Sequence, residues 1–310
     1  MSSSGGRHEP IYFPNKPRQL QDLIRRTQEE TGQNRLDSDV NQYLQELLAK
    51  LNERNPERVR ELLEEIVAIL GEHQEIERYY FGGSVAKHTY VDGLSDIDAL
   101  VILDRRDLQG KTPREVLHVF LASLQEGLTH DEVAEIDKGN LAVKVTYVDR
   151  TEIQLLPAIR HGREVSISDA NGTGWKKINP KLFHRELTKA NERLNNALVP
   201  TIKLVKSILS GLPDDLRPTG YHAESLSLDA TKGYRGPMTV KSLLLHVLTA
   251  ASTRVLRPII DITNQSTYVD DYMGRKGSQQ RERLSLALAG ISRRLNAATT
   301  LDRWKEIIET

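Results

Sequence analysis

The sequence predicts an α/β protein of the α+β kind, in which a small domain with N-terminal helices is followed by a helical domain. Three observations lead to this prediction. The chain before residue 71 has the periodicity of amphipathic helices, the middle switches to short apolar strands, and from about Trp175 helical periodicity returns and persists. A length of 310 residues is long for one compact domain and comfortable for two.

The predicted boundaries follow composition. Residues 1–16, which begin "MSSSGGRHEP", predict a disordered leader, and residues 17–174 hold the first domain. The stretch "ISDANGTGWKKINP" is rich in Gly, Asn and Asp, which is typical of a connection, so we place the helical domain at residues 175–310.

Three helices are predicted at the start of the first domain. "PRQLQDLIRRTQEETG" and "DSDVNQYLQELLAKLNER" each have helical periodicity, and Asp37 or Ser38 is a plausible cap for the second. The third is "NPERVRELLEEIVAILGEH", where Pro56 stands at the first turn, a position that favours proline.

The strand-rich part follows. "IERYYFGGSV" is apolar and aromatic, "DIDALVILD" predicts a strand, and "TPREVLHVFLASLQEGL" predicts a helix. "LAVKVTYVDRTEIQLLPAI" predicts two strands joined by a hairpin turn at "VDRT". The remaining segments, such as "VPTIKLVKSIL" and "TVKSLLLHVLTAASTRVL", have apolar residues at three- and four-residue spacing. Trp175 and Trp304 are predicted core residues.

Composition restricts the function. Lys plus Arg and Asp plus Glu are equal at 43 each, so no net charge suggests wholesale binding to nucleic acid or a membrane. The absence of cysteine fits a reducing cytoplasm and excludes thiolate metal sites. No apolar run approaches eighteen residues and the start has no signal-peptide pattern. We therefore expect a cytoplasmic protein without a membrane partner.

Two aspartates interrupt the most strand-like segment. Asp96 and Asp98 are two residues apart and so share one face of a strand, while Ile97 and Ala99 face the core. Neighbouring carboxylates repel each other unless a cation compensates them, and Mg²⁺ prefers such oxygen ligands together with substrate phosphates. Upstream, Gly83 lets backbone N–H groups approach a phosphate and Ser84 adds a hydroxyl. Alone, either motif is usually a turn or a solvated strand end, but the two in this order are much more specific.

The segment "GGSVAKHTYVDGLSDIDALVIL" resembles the glycine-serine and Asp-x-Asp signature of DNA polymerase beta-type nucleotidyltransferases. Among these it is most similar to the bacterial relatives of cyclic GMP-AMP synthase, the oligonucleotide cyclases of anti-phage signalling. "TEIQLLPAI", "INPKLF", "GYHAESL" and "DITNQSTYVDDYMG" extend the resemblance over roughly residues 40–308. It implies a catalytic domain with a mixed sheet, a C-terminal helical domain, and an active site in the cleft between them.

The resemblance also implies a third carboxylate on a neighbouring strand, where the family pattern commonly reads acid-x-x-Pro. Here Gln154 precedes Pro157 at that place, which departs from the pattern. A neutral amide cannot act as a base. Glu152 lies on the same strand face as Gln154 and is the expected substitute. The alternative is that Glu152 is only a hairpin residue beside Asp149.

In such enzymes a ribose hydroxyl attacks the α-phosphate of a nucleoside triphosphate and pyrophosphate leaves. Asp96, Asp98 and Glu152 would be both the catalytic residues and the ligands of two Mg²⁺ ions, with Mn²⁺ as a possible replacement. Gly83 and Ser84 would bind the nucleotide.

Further nucleotide-binding residues are expected in the helical domain. Lys206 matches a basic residue that reaches the donor triphosphate in relatives, and Lys203 shares its helix face, although a solvated lysine is an equally good interpretation of Lys203. Tyr221 matches an aromatic residue that stacks on the donor base, or else it packs under a helix start.

Two further groups of residues near these motifs carry charge. Lys87 and His88 are placed to touch phosphate. The pair Asp270 and Asp271 suggests a second metal site, although an acidic cap before the last helix is the better interpretation.

The leading hypothesis is a template-independent nucleotidyltransferase that makes a cyclic or short linear oligonucleotide second messenger. Its partners would be nucleoside triphosphates, ATP among them, and a separate effector protein that responds to the product, with no requirement for nucleic acid. One alternative is an enzyme of the same fold that adds nucleotides to an RNA 3′ end. Another, motivated by Gln154, is a catalytically silent nucleotide-binding protein.

Overall fold

A computed structural model describes residues 17–53, 55–92, 94–104, 110–161, 164–169 and 171–309. The predicted leader, residues 1–16, lies outside the described residues. The helices of the described residues are α1 (Pro17–Lys50), α2 (Pro56–Gly71), α3 (Gly83–Ala86), α4 (Pro113–Gly127), α5 (Pro180–Arg193), α6 (Leu198–Ser210), α7 (Gly220–Ala230), α8 (Val240–Arg254), α9 (Gln279–Ala297) and α10 (Leu301–Ile308). The strands are β1 (Ile76–Phe81), β2 (Ile97–Leu103), β3 (Val133–Lys138), β4 (Val143–Tyr147), β5 (Glu152–His161), β6 (Glu164–Ser168) and β7 (Trp175–Ile178).

These strands form a mixed sheet in the order β1-β2-β5-β4-β3, and β6 and β7 continue it from the far end of β5. Strands β2 and β5 run parallel and the other neighbours antiparallel. The early part of β5 pairs with β4 and its later part with β6, because β5 is long enough to serve both. Because β2 and β5 are parallel and Ile97 is paired with Ile153, the first residues of the two strands lie side by side.

Helices α2 and α4 cover one face of the sheet. Leu63 and Ile66 of α2 and Phe120 of α4 are fully buried against Ala99 and Val145 of the strands. Both helices begin as predicted. Asn55 caps α2 with Pro56 at the first turn, and "TPRE" forms a capping box at the start of α4. The hairpin turn at "VDRT" is also confirmed.

The prediction of two helices before residue 51 is wrong, because α1 runs unbroken from Pro17 to Lys50. Asp37 lies inside the helix, where it accepts a hydrogen bond from Lys241 of α8, and so it caps nothing. Beyond it, Val40 and Leu44 pack into the core of the helical domain. This tertiary contact, with no proline in between, keeps the helix continuous.

That helical core is formed by α1 and by α5 to α10. Trp304 is buried in it, as predicted, and Trp175 packs partly buried against the core of the sheet. Helical structure does not begin at Trp175, because residues Trp175–Ile178 pair with β6 and complete the sheet; α5 begins at Pro180. Within the described ranges, no helix combines the length and apolar character needed to cross a membrane.

Candidate active site

Asp96 and Asp98 stand at the beginning of β2, and the predicted alternation is confirmed. Ile97 and Ala99 are buried in the sheet core, whereas both aspartates are half-buried on the other face. The two carboxylates therefore share one face because a strand turns successive side chains to opposite sides.

The Gly83–Ser84 turn lies directly against Asp98. The backbone N–H of Gly82 donates to the Asp98 carbonyl oxygen at 2.7 Å. Gly83 has a φ of +49°, and a Cβ atom built on it would be only 1.5 Å from Oδ2 of Asp98. Only glycine fits here, since the backbone is left-handed and the space of a side chain is taken by the carboxylate.

Strand β5 brings Glu152 and Gln154 to the same place. In the parallel ladder Asp98 is paired with Gln154, which puts Asp96 beside the start of β5. The Gln154 amide donates a hydrogen bond to Oδ2 of Asp96, and the Glu152 carboxyl is also within hydrogen-bonding reach of Asp96. Lys144 of β4 lies 3.5 Å from Glu152 (Nζ to Oε1). Both candidates for the third position thus border Asp96.

Both aspartates have perturbed acidity. Burial raises the pKa of Asp96 to about 6, helped by the hydrogen bond with Glu152 and by the charges of Glu152 and Asp98. Burial also raises the pKa of Asp98 to about 6, although the charges of Lys87 and Lys206 act in the opposite direction. Concentrated negative charge on desolvated carboxylates is the environment that a bound cation stabilises.

The donor chemistry of Asp96, Asp98 and Glu152 fits a divalent cation, because all three offer hard carboxylate oxygens. Their side chains have not converged on one point: across the described ranges, no three His, Cys, Asp or Glu side chains form a set that could hold a metal. Magnesium sites of enzymes that act on nucleotides commonly use one or two carboxylates and complete their coordination with substrate phosphates. The three carboxylates therefore have the donor atoms that such a site uses.

The two candidate lysines of α6 have different surroundings. Lys206 is 7% exposed, and its ammonium donates to Oε1 of Glu224 at 2.7 Å and to the Thr89 carbonyl at 2.9 Å. Lys203 is half-buried and donates to the side chain of Asn52, at the end of the first helical region. Lys206 therefore lies where the helical core meets the segment after the Gly83–Ser84 turn, and Lys203 lies toward α1.

Tyr221, near the start of α7, is half-buried close to Lys87. Its hydroxyl donates to Oδ1 of Asp261 at 2.8 Å, and its ring meets Phe183 edge-on with centroids 5.1 Å apart. The ammonium of Lys87 lies 4.9 Å from the centre of the Tyr221 ring. The structure thus brings Tyr221 close to Lys87 and to the network of Lys206.

Residues 35–191, just over half of the chain, match the family described as Second Messenger Oligonucleotide or Dinucleotide Synthetase domain. The chain belongs to this family. No curated protein sequence matches it.

Solved structures agree with this placement at the level of the fold. The E. coli MS115-1 CdnC with ATP is 15% identical with a TM-score of 0.61, covering 82% of this chain and 90% of that one. The Bradyrhizobium diazoefficiens CD-NTase CdnG in complex with GTP is 14% identical with a TM-score of 0.61, covering 87% and 97%. The Vibrio cholerae DncV cyclic AMP-GMP synthase, a prokaryotic cGAS homolog, is 11% identical with a TM-score of 0.60, covering 91% and 90%. The expected nucleotidyltransferase fold and the placement among bacterial relatives of cyclic GMP-AMP synthase are confirmed.

The acidic pair at Asp270 and Asp271 is neither a second metal site nor a helix cap in this family member. Asp270 is fully buried and paired with Arg281, whose Nη1 lies 2.5 Å from Oδ2, and it also accepts from the Ile259 backbone at 3.0 Å. Asp271 is exposed in a short 3₁₀ turn, and Ser278 caps α9 instead. An interior guanidinium already compensates the buried charge of Asp270.

The sequence did not point to Glu224 or Thr89. Glu224 lies in the middle of α7 with a side chain 1% exposed, and Thr89 is fully buried. The available signal was the neighbourhood of Glu224, because four of its five neighbours in "HAESLS" are small or apolar, which is typical of a buried helix. His88, by contrast, is exposed with a φ of +58°.

Proposed function

We propose that this protein is a template-independent nucleotidyltransferase that joins nucleoside triphosphates into a cyclic or short linear oligonucleotide second messenger of anti-phage signalling. The observation that carries the proposal is the position of Asp98 against the Gly83–Ser84 turn, with Asp96 on the same strand face and Glu152 within hydrogen-bonding reach of Asp96, in a chain of the oligonucleotide synthetase family. The product would act on a separate effector protein.

In the proposed reaction, the oxygen of a ribose hydroxyl attacks the α-phosphorus of a bound nucleoside triphosphate and forms a new P–O bond. The bond from the α-phosphorus to the bridging oxygen breaks, and pyrophosphate leaves with that electron pair. The hydroxyl proton passes to a carboxylate, for which Glu152 is the best candidate because its side chain is 35% exposed at the edge of the cluster. A second attack of the same kind would close a ring.

Asp96, Asp98 and Glu152 would hold the divalent ions, two Mg²⁺ or in their place Mn²⁺. Bound there, these ions supply charge stabilisation to the attacking and leaving oxygens. Gln154 would support the cluster through its hydrogen bond to Asp96. In this arrangement the neutral amide orients one carboxylate and leaves the role of base to Glu152.

The nucleotide would be bound from both domains. Backbone N–H groups at Gly83 and the hydroxyl of Ser84 suit phosphate oxygens, and the positive charge of Lys206 lies just behind the turn, linked to it through Thr89. Tyr221 offers a ring for stacking on the donor base, which holds a base without identifying it. Lys203 would contribute after it releases Asn52.

The test is to incubate purified protein with Mg²⁺ or Mn²⁺ and labelled ATP, GTP, CTP and UTP, singly and in pairs, with and without an RNA oligonucleotide. We expect products formed without RNA and resolved by mass spectrometry, with phosphatase treatment separating cyclic from linear species. Asp98→Asn should be inactive. Asp104→Asn is the matched control, because Asp104 directly follows the last residue of β2, whereas Asp98 lies near its start. This variant should keep its activity.

Each competing hypothesis has a distinct outcome. Products that appear only as extensions of the added RNA would replace this proposal with 3′-end addition. Binding of triphosphates without any product under all these conditions would favour the catalytically silent protein.

A further inference from the structure

A buried network of charges joins the two domains beneath the candidate active site. Glu224 of α7 accepts hydrogen bonds from the ammoniums of Lys87 and Lys206 and from the Thr89 hydroxyl at 2.5 Å. Lys87 and Thr89 follow the glycine-serine turn in the catalytic domain, whereas Lys206 and Glu224 belong to the helical domain. One carboxylate therefore contacts two cations that come from opposite sides of the domain junction.

The network is continuous with the glycine-serine turn. The Thr89 backbone N–H donates to the Ser84 carbonyl at 3.0 Å, and Lys206 donates to the Thr89 carbonyl at 2.9 Å. Ser84 follows Gly83, whose backbone touches the Asp98 carboxylate. A displacement of Glu224 would therefore be transmitted to the turn through one residue, Thr89, which is hydrogen-bonded to both Glu224 and Ser84.

The two lysines differ in their hydrogen bonds and in the exposure of their side chains. Lys206 is held by two hydrogen bonds and its side chain is 6% exposed. The Lys87 side chain is 11% exposed, and its ammonium faces the rings of Phe183 and Tyr221 at 5.0 and 4.9 Å from their centroids. Without Glu224, the two ammoniums would be left in a desolvated space without a hydrogen-bonded anion, and the carboxylate of Asp98 would be the remaining negative charge that acts on both. Such a loss of the paired carboxylate is strongly unfavourable.

We propose that Glu224 is a positioning residue that fixes the ammoniums of Lys87 and Lys206 behind the Gly83–Ser84 turn, so that a triphosphate meets a prearranged positive charge. This inference rests on the proposed function. Glu224 does not itself contact substrate in this account, because it is enclosed by the two lysines and Thr89. Its removal changes phosphate binding through the lysines.

The test measures binding rather than turnover. The dissociation constants of a non-hydrolysable ATP analogue and of adenosine are determined by calorimetry with Mg²⁺ for the native protein, Glu224→Gln, Lys87→Met and the double variant. Glu224→Gln should weaken binding of the analogue by about tenfold or more, since hydrogen bonds between charged groups are lost. Adenosine, which carries no phosphate, should bind as before.

The double variant separates positioning from a general loss of stability. If Glu224 acts through Lys87, the Lys87→Met change should weaken binding of the analogue much less in the Glu224→Gln background than in the native protein. A loss of stability would instead reduce the active fraction and leave both dissociation constants unchanged. Glu224→Asp, which keeps the charge, should recover part of the affinity.

Asp229→Asn is the matched control, because Asp229 lies on the same helix and is also paired with two cations, Lys232 and Arg254, but at the surface. It should bind both ligands normally. Equal weakening of the analogue and adenosine, or fully independent effects of Glu224→Gln and Lys87→Met, would overturn the proposal. Failure of the native protein to bind the analogue would also overturn the proposal. A native protein that binds the analogue but forms no product would refute the proposed function and would leave the role of Glu224 in binding unaffected.

Discussion

Replacement of Gly83 by alanine is the sharpest perturbation that the structure offers. The φ of Gly83 is +49°, a left-handed value, and an added Cβ would lie 1.5 Å from Oδ2 and 2.5 Å from Cγ of Asp98. Because carbon atoms pack comfortably at about 3.5–4.0 Å, the Asp98 carboxylate would have to move by roughly 2 Å. The turn cannot easily move instead, since Gly82 and Ser84 are hydrogen-bonded on either side of it.

Two effects of different size follow. The left-handed backbone alone costs an alanine about 1–2 kcal/mol of stability. The displacement of Asp98 acts on catalysis, where a misplacement of about 1 Å can cost on the order of a hundredfold in rate. We therefore expect the Gly83→Ala protein to remain folded and to lose at least about a hundredfold in kcat.

The assay compares kcat for oligonucleotide formation with the free energy of unfolding from urea titration. Gly233→Ala is the control, because Gly233 has a φ of +77° and, among the described residues other than its chain neighbours, no atom lies within 4 Å of an added Cβ. It should lose a similar amount of stability and keep full activity. A Gly83→Ala enzyme as active as Gly233→Ala would refute the placement of the Asp98 carboxylate against the turn.

Three further predictions test the site. With Mg²⁺ present, Asp98→Asn should be inactive. Burial raises the pKa of Asp98 to about 6, so the contribution of Asp98 to stability is present at low pH and is lost as the pH rises through about 6. In metal-free buffer Asp98→Asn should therefore be more stable than the native protein near pH 8, with the difference shrinking toward pH 4. A native protein equally or more stable near pH 8 would contradict this. Glu152→Gln should reduce activity nearly as much as Asp98→Asn does, whereas Gln154→Asp should be tolerated or activating. Full activity of Glu152→Gln in Mg²⁺, with no preference for Mn²⁺, would exclude Glu152 as the third carboxylate. Tyr221→Ala should weaken binding of all four nucleotides alike, by roughly 1–3 kcal/mol, and loss of a single base in binding titrations would assign Tyr221 to base recognition instead.

The parts of the fold that were predictable have local causes. Pro56 with its asparagine cap and the capping box before α4 specify helix starts within a few residues, and "VDRT" specifies a turn. The unbroken α1 was not predictable. Aspartate is a residue type that often caps helices, and the residue that actually pairs with Asp37, Lys241, is some two hundred residues away in the sequence. Strand β7 was missed since four residues, "WKKI", carry too little periodicity to indicate a strand.

The same division applies to the site. Asp96, Asp98 and the Gly83–Ser84 turn are close in sequence, and their spacing was enough to predict that they share one place. Glu224 was not predictable, because a glutamate in a helix is usually solvated and its contacts to Lys87 and Thr89 span 137 and 135 residues. Pairing across that separation depends on how the two domains pack, which no local pattern encodes.

The most direct test of nucleotidyl transfer by this protein is the release of pyrophosphate from nucleoside triphosphates in the presence of Mg²⁺ and the absence of RNA, measured together with the nucleotide incorporated into product. The native protein should release pyrophosphate in step with incorporation, one for each nucleotide in a cyclic product and fewer in a linear one, and Asp98→Asn should release none while Asp104→Asn behaves as the native protein. Incorporation without release of pyrophosphate, or release that persists in Asp98→Asn, would contradict nucleotidyl transfer that depends on Asp98.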